Sequence, residues 1–268
     1  MVRISMIFLL ILAVQACQSQ SEVENKEGRT EKILSKVPDS LAKILTLDYV
    51  MGKYEPAEQE DFIEIARVHA DRAGMYLRKD TYAAFIDMYE AAKKEGIYLQ
   101  IRSATRNFDY QKRIWENKWT GKTKVENGEN LAQTTPDAKE RALKILRFSS
   151  MPSTSRHHWG TDIDFNAFNN EYFATGEGKK IYDWLAANAV DYGFCQPYTA
   201  KGAARPNGYN EEKWHWSYLP IAEHLTTFAK EHLRDSLIQG FQGAQTAEQI
   251  GVVEKYVLGI NELCLSPQ

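Results

Sequence analysis

Apolar residues recur along this chain with two periods, and the two periods mark out its elements. Tyr82, Phe85, Ile86, Tyr89 and Ala92 fall on one face of a helix over residues 80–95, and Gly96 ends it. Residues 97–103 then alternate apolar and polar, as a half-buried strand does. Asn107 can cap a following helix that runs through Trp119. Thr135-Pro136-Asp137 opens another, with proline in the first turn and Ala138, Ala142, Ile145 and Leu146 sharing a face. Residues 179–190 continue the helical period to near Gly193, Pro220 begins a helix to about Ile238, and Ile250, Val253, Val257, Ile260 and Cys264 predict a last one. Two further helices are expected, over 31–47 with a break at Pro38, and over 58–73. Residues 161–165 and 214–218 read as short strands, whereas 122–133, 150–158 and 196–210 are loops. Helices around a few short strands predict an α+β fold, a single domain with a small antiparallel sheet and no internal repeat.

The N-terminus has a different character. Arg3 precedes a run of about eleven mostly apolar residues, too short to span a bilayer comfortably. Ala16 is a small residue at a cleavage position, and Val14-Gln15-Ala16-Cys17 resembles a bacterial lipobox. The expectation is a lipoprotein signal peptide over 1–16, then a lipidated Cys17 and a flexible polar tether to residue 31. The domain would then fill 32–268, held at the membrane on an extracytoplasmic face. An ordinary signal peptide with a coincidental cysteine is the plainer alternative. With Cys17 lipidated, Cys195 and Cys264 remain as a pair in an oxidising compartment. They either form a disulfide that pins the C-terminal helix to the core or stay as two buried thiols. The 268 residues carry 33 basic and 36 acidic side chains, a formal net charge of -3, which gives no basic surface for nucleic acid. Nothing in the chain fixes an oligomeric state.

The candidate chemistry sits in two distant stretches. Ser155-Arg156-His157-His158-Trp159-Gly160-Thr161-Asp162-Ile163-Asp164 supplies an imidazole and two carboxylates, and Glu212-Lys213-Trp214-His215-Trp216-Ser217-Tyr218 supplies a second imidazole and a glutamate. In a strand, alternate residues share a face, so Asp162 and Asp164 point one way and Ile163 and Phe165 the other. His215 and Ser217 share a face likewise, and Trp214 and Trp216 packed behind would fix the imidazole. Gly160 permits a sharp turn between His157 and the first strand. Two imidazoles and one carboxylate around an open fourth position match catalytic zinc rather than structural zinc. Glu212 stands close enough to take a proton from a water there.

Ser-x-His-x6-Asp followed by Glu-x-Trp-His resembles the zinc D-alanyl-D-alanine carboxypeptidases of the VanY type, which trim peptidoglycan stem peptides. A third segment of that family, Ser-x-x-Arg-x4-Gln, occurs as Ser103 to Gln111, and the likeness covers residues 77–218. It implies His157, Asp164 and His215 as ligands of one Zn2+, Glu212 as catalytic base and Arg106 as stabiliser of the oxyanion. It also implies supporting roles for Ser155 and Gln111, and leaves the C-terminal helices over 219–264 outside the motifs. Two positions depart from the family pattern: Thr105 stands where tyrosine is frequent, and Ser217 where arginine is common, which removes one polar contact near the substrate. The expected partners are a stem peptide and, through the lipid, a membrane. On the same scaffold the alternatives are an LD-carboxypeptidase or a murein endopeptidase. A non-catalytic cell-wall-binding lipoprotein is the rival of another class, and it would need neither Glu212 nor Arg106. Ser40-Leu41-Ala42-Lys43 resembles the Ser-x-x-Lys of serine penicillin-binding enzymes but lacks the downstream Lys-Thr-Gly.

Overall fold

The computed structural model describes residues 39–265. The expected signal peptide, Cys17, the expected tether and residues 31–38 of the helix expected over 31–47 lie outside the described residues. The described end of that helix is one turn, Asp39–Ala42, in a unit that ends at Ile44. The described residues from Leu45 onward form a second, compact unit. It opens with a separate turn, Leu47–Val50, because the Thr46 hydroxyl caps it by accepting from the Tyr49 N–H at 3.2 Å.

The compact unit is a mixture of helices and two small antiparallel sheets. β1 (Phe62–Glu64) and β2 (Tyr76–Arg78) form a hairpin. The larger sheet has the order β3 (Ile101–Ser103), β4 (Asp162–Phe165), β6 (His215–Tyr218), β5 (Phe194–Cys195), every pair antiparallel. Helices α1 (Lys79–Lys94), α2 (Phe108–Trp119), α3 (Ala138–Ile145), α4 (Gly176–Asn188) and α5 (Leu219–His232) surround it. Asn107 and Asp137 cap α2 and α3, accepting from the N–H groups of Tyr110 (2.9 Å) and Glu140 (2.8 Å).

One face of the larger sheet makes the core. Ile163, Phe165 and Trp216 pack with Phe85, Met88 and Ala92 of α1 and with Ile181 and Leu185 of α4. The Phe85 and Phe165 rings stack with centroids 5.7 Å apart. Core packing on this face leaves the opposite face of β4 and β6 free to carry polar groups.

Four expectations fail. Residues 58–73 are a 3-10 turn (Pro56–Glu58), β1 and a loop, not a helix. Phe62 and Ile65 are both buried, and their spacing of three imitates a helical face, but pairing with β2 decides the conformation. The helix from Pro220 stops at His232 because Leu233 turns extended and buries its side chain. The last helix is broken into a turn at Ala247–Ile250, a π turn at Val253–Val257 and a 3-10 turn at Glu262–Cys264. Gly251 is left-handed there (φ 74°), and a side chain on Gly259 would meet the Lys255 carbonyl. All five residues that suggested a helix are nonetheless buried. Residues 122–133 also contain a single helical turn that begins at Leu131.

Cys195 and Cys264 form a disulfide across 69 residues, tying β5 to this C-terminal turn rather than to a helix. The open choice between bridge and free thiols is thereby decided. Replacing Cys264 with serine is expected to lower unfolding stability by about 2–5 kcal/mol in denaturant titrations, whereas a change under 0.5 kcal/mol (on the order of experimental noise) would show the closed loop to be irrelevant.

Candidate active site

β4 and β6 are registered so that Asp164 lies directly opposite His215 and Asp162 opposite Ser217. Ser103 of β3 pairs with Asp164 on the other side, after a register shift between Ile101 and Ser103. His157 arrives from the 3-10 turn Arg156–Trp159, after which left-handed Gly160 (φ 74°) reverses the chain into β4. A Cβ on Gly160 would also strike the Phe62 ring at 2.6 Å. The backbone joins this turn to the segment before α2, since the Arg106 N–H donates to the His157 carbonyl at 3.1 Å. A tight turn in which the His215 N–H donates to the Glu212 carbonyl (3.2 Å) folds Glu212 back over His215.

Three lone-pair atoms converge as a result. One ligand atom each from His157, Asp164 and His215 lies within 4.8 Å of the others, all on buried residues. His157 Nδ1 donates to the Ala104 carbonyl at 2.9 Å, so Nε2 carries the lone pair. Nε2 stands 3.2 Å from Asp164 Oδ2, yet both it and Asp164 Oδ1 are buried without a hydrogen-bond partner. His215 Nδ1 is 3.3 Å from Asp164 Oδ1 and 3.2 Å from Glu212 Oε2. Unpartnered buried acceptors facing one another are costly, and a cation among them removes the cost. Two imidazole nitrogens and a carboxylate oxygen are the donor set that suits zinc, so these residues fit the ion.

The charges around this point are strongly coupled. Burial pushes the Glu212 carboxyl up, only partly offset by its hydrogen bond with His215. Burial also raises Asp164, but the imidazoles of His157 and His215 outweigh it and hold the group below its ordinary value. His215 is pushed up to about 9: burial lowers it, and hydrogen bonds with Asp162 and Glu212 override that. Arg106 closes the arrangement, with Nη1 donating to Ser103 Oγ at 2.9 Å and standing 3.6 Å from Asp164 Oδ2.

These groups line one cavity of about 360 Å³, together with Gln111. Gln111 Nε2 donates to the Ser150 carbonyl at 2.8 Å, which fixes the loop on that wall. Ser155 is buried but does not line the cavity. Ser217 is also buried away from it, and its hydroxyl accepts from Arg156 Nη2 at 2.8 Å. A guanidinium does stand beside position 217, delivered from residue 156. Trp214 and Trp216 both belong to the core cluster, and the groups in direct contact with the His215 ring are others. That ring is held by Asp162 Oδ2 (2.8 Å from Nε2) and by the edge of Tyr198 (centroids 4.8 Å apart).

The sequence gives no sign of Tyr198 and Tyr209, which line the cavity from the long loop over 196–210. That loop is ordered by Arg205, which donates to the carbonyls of Thr199, Asn207 and Tyr209. Lys118, Phe148, Phe168 and Trp214 form another wall and are shared with an adjoining cavity of about 370 Å³. His158 is not part of the cavity: Nδ1 donates to the Arg106 carbonyl (2.6 Å) and Nε2 accepts from the Ser153 N–H (3.1 Å). Burial pushes its pKa down to about 3, so the ring is neutral and braces the Arg106 backbone.

The family model for D-alanyl-D-alanine carboxypeptidase (VanY) matches residues 74–221, more than half of the chain. The chain belongs to the VanY family. YodJ of Bacillus subtilis (strain 168) is 28% identical over 193 residues, 68% of this chain and 61% of YodJ. The D-alanyl-D-alanine carboxypeptidase of Enterococcus faecalis (strain ATCC 700802 / V583) is 27% identical over 135 residues, 50% of this chain and 45% of that protein. The chain thus spans less than two thirds of the length of these curated relatives. Among solved structures it is similar to VanYB in complex with D-alanine-D-alanine (22% identity, TM-score 0.47, 65% of this chain and 86% of that one). It is also similar to the LdcB LD-carboxypeptidase (24% identity, TM-score 0.47, 67% of this chain and 76% of that one).

The brace on Arg106 is open to test. Gly52 is left-handed (φ 72°), and a Cβ there would meet His158 Nδ1 at 2.4 Å. Gly52→Ala is expected to cost more than about 1 kcal/mol of stability in thermal unfolding, and an unchanged melting curve would show that the His158 ring is not wedged there.

Proposed function

We propose that this VanY-family protein is a zinc-dependent D-alanyl-D-alanine carboxypeptidase that releases terminal D-alanine from peptidoglycan stem peptides. The observation that carries the reading is the meeting of Glu212 with the three zinc-suited donors in one cavity, with Arg106 beside them. A binding protein for metal or peptide would need neither a raised carboxyl nor a guanidinium at that point. His157, Asp164 and His215 would hold the ion, which when bound acts as a Lewis acid and lowers the pKa of water to about 7. Glu212 takes a proton from the attacking water and passes it to the departing amine nitrogen. Its elevated proton affinity suits both halves of that task. Arg106 presents N–H donors to the oxygen on which negative charge develops. Tyr198 and Tyr209 exclude water from one side of the reacting bond. The adjoining cavity beyond Lys118 and Trp214 gives room for the remainder of the peptide. Work on cell-wall peptide implies an extracytoplasmic location; among the described residues no helix is long and apolar enough to cross a membrane.

Glu212→Ala is expected to retain zinc and lose hydrolysis, whereas His215→Ala loses both, measured by metal analysis and D-alanine release from a pentapeptide. Arg106→Ala should lower kcat by about 10²–10³. An active Glu212→Ala protein would overturn the assignment. A tetrapeptide and a crosslinked muropeptide in the same assay separate this activity from the LD-carboxypeptidase and endopeptidase alternatives.

A further inference from the structure

Asp162 shares its strand face with Asp164 yet does not line the cavity. Its carboxylate is completely buried and accepts four hydrogen bonds. Oδ2 takes them from His215 Nε2 at 2.8 Å and Arg156 Nε at 3.2 Å. Oδ1 takes them from the hydroxyls of Thr161 and Ser217, both at 2.7 Å. Arg156 is as deeply buried, with Nη1 donating to Thr226 Oγ1 at 2.9 Å, Nη2 to Ser217 Oγ at 2.8 Å, and its guanidinium 4.5 Å from the centre of the Trp159 ring.

From this geometry we infer that Asp162 is a positioning residue: it fixes the His215 ring with hydrogen on Nε2 and so presents the Nδ1 lone pair to the metal site, while Arg156 holds the Asp162 charge in place. The inference rests on the reading of His215 as a ligand. A carboxylate only accepts, so the nitrogen facing it at 2.8 Å must donate. The other tautomer would set two lone pairs against each other at that distance. With Nε2 committed, a neutral ring has its acceptor at Nδ1, the atom that faces Asp164 and Glu212. A carboxylate hydrogen-bonded to a metal-binding imidazole fixes its tautomer and raises its basicity. Arg156 and the two hydroxyls supply donors to the remaining lone pairs, so the carboxylate stays charged and aimed without touching substrate. The rival account makes Asp162 only the counter-ion of Arg156, with His215 an incidental neighbour.

Two variants separate these accounts. Asp162→Asn weakens zinc binding ten- to a hundred-fold in competition with a chelator, but it also leaves Arg156 buried without a counter-charge. Asp162→Asn combined with Arg156→Gln removes the stranded charge, and the inference expects a melting temperature near that of the unaltered protein with zinc affinity still reduced. In metal-free protein labelled with ¹⁵N-histidine, at a pH where the ring is neutral, His215 holds its proton on Nε2, and that preference is lost in the double variant. A double variant that binds zinc as tightly as the unaltered protein, with the tautomer unchanged, would overturn the inference. Should the unaltered protein bind no zinc, the reading of the metal site fails, while the His215 tautomer still decides the part played by Asp162.

Discussion

The antiparallel pairing of β4 with β6 is the constraint on which the site depends. It sets Asp164 opposite His215 on one face and Ile163 opposite Trp216 on the other. Directly opposed residues in such a ladder have close Cβ atoms, so the polar pair is brought together by the same hydrogen bonds that bring the apolar pair together. A slip of one residue would exchange the two faces and put the carboxylates into the packing around Phe85 and Met88. Core packing therefore fixes Asp164 and His215, while turns and loops bring His157, Glu212 and Arg106 to them.

That constraint forces several charges into the interior, and the fold treats them in two different ways. On the outer side of His215 every donor and acceptor of Asp162, Arg156 and Ser217 used in the network finds a partner. On the inner side, Asp164, Glu212 and two imidazole nitrogens point at a common centre, and some of their buried atoms have none. Satisfied polar groups rigidify, and unsatisfied ones hold stored electrostatic free energy that a suitable ligand releases. The boundary between the two regimes runs through the His215 ring, one nitrogen on each side.

Much of this could be read from the residues alone because it is local. The period of 3.6 located α1 and α3, Asn107 announced α2, and alternation at 161–165 placed both aspartates on one side of the strand; Pro136, expected in the first turn of α3, instead precedes its cap Asp137. What alternation cannot say is which aspartate meets which partner, since that is decided by Arg156, Thr226 and Ser217 arriving from separate elements. The helix expected over 58–73 failed because pairing of β1 with β2, a non-local contact, decides the conformation there. For Ile250 to Cys264 the burial was foreseen, but the chain breaks at Gly251 and Gly259 into separate turns where a regular helix was expected. Tyr198 and Tyr209 left no trace, because their places depend on Arg205 gathering three carbonyls of an otherwise irregular loop.

The larger sheet is also narrow, and its borders are closed. β5 is only two residues long, and the chain beyond it is engaged by Asn261, whose N–H donates to the Pro197 carbonyl at 2.8 Å. At the other border the Ile101 N–H and carbonyl are already taken by His69 and Asp71. No row of free backbone groups is therefore offered for a visiting strand to zip onto. Whatever enters the cavity is therefore met chiefly by the side chains that line it, not by an added strand on this sheet.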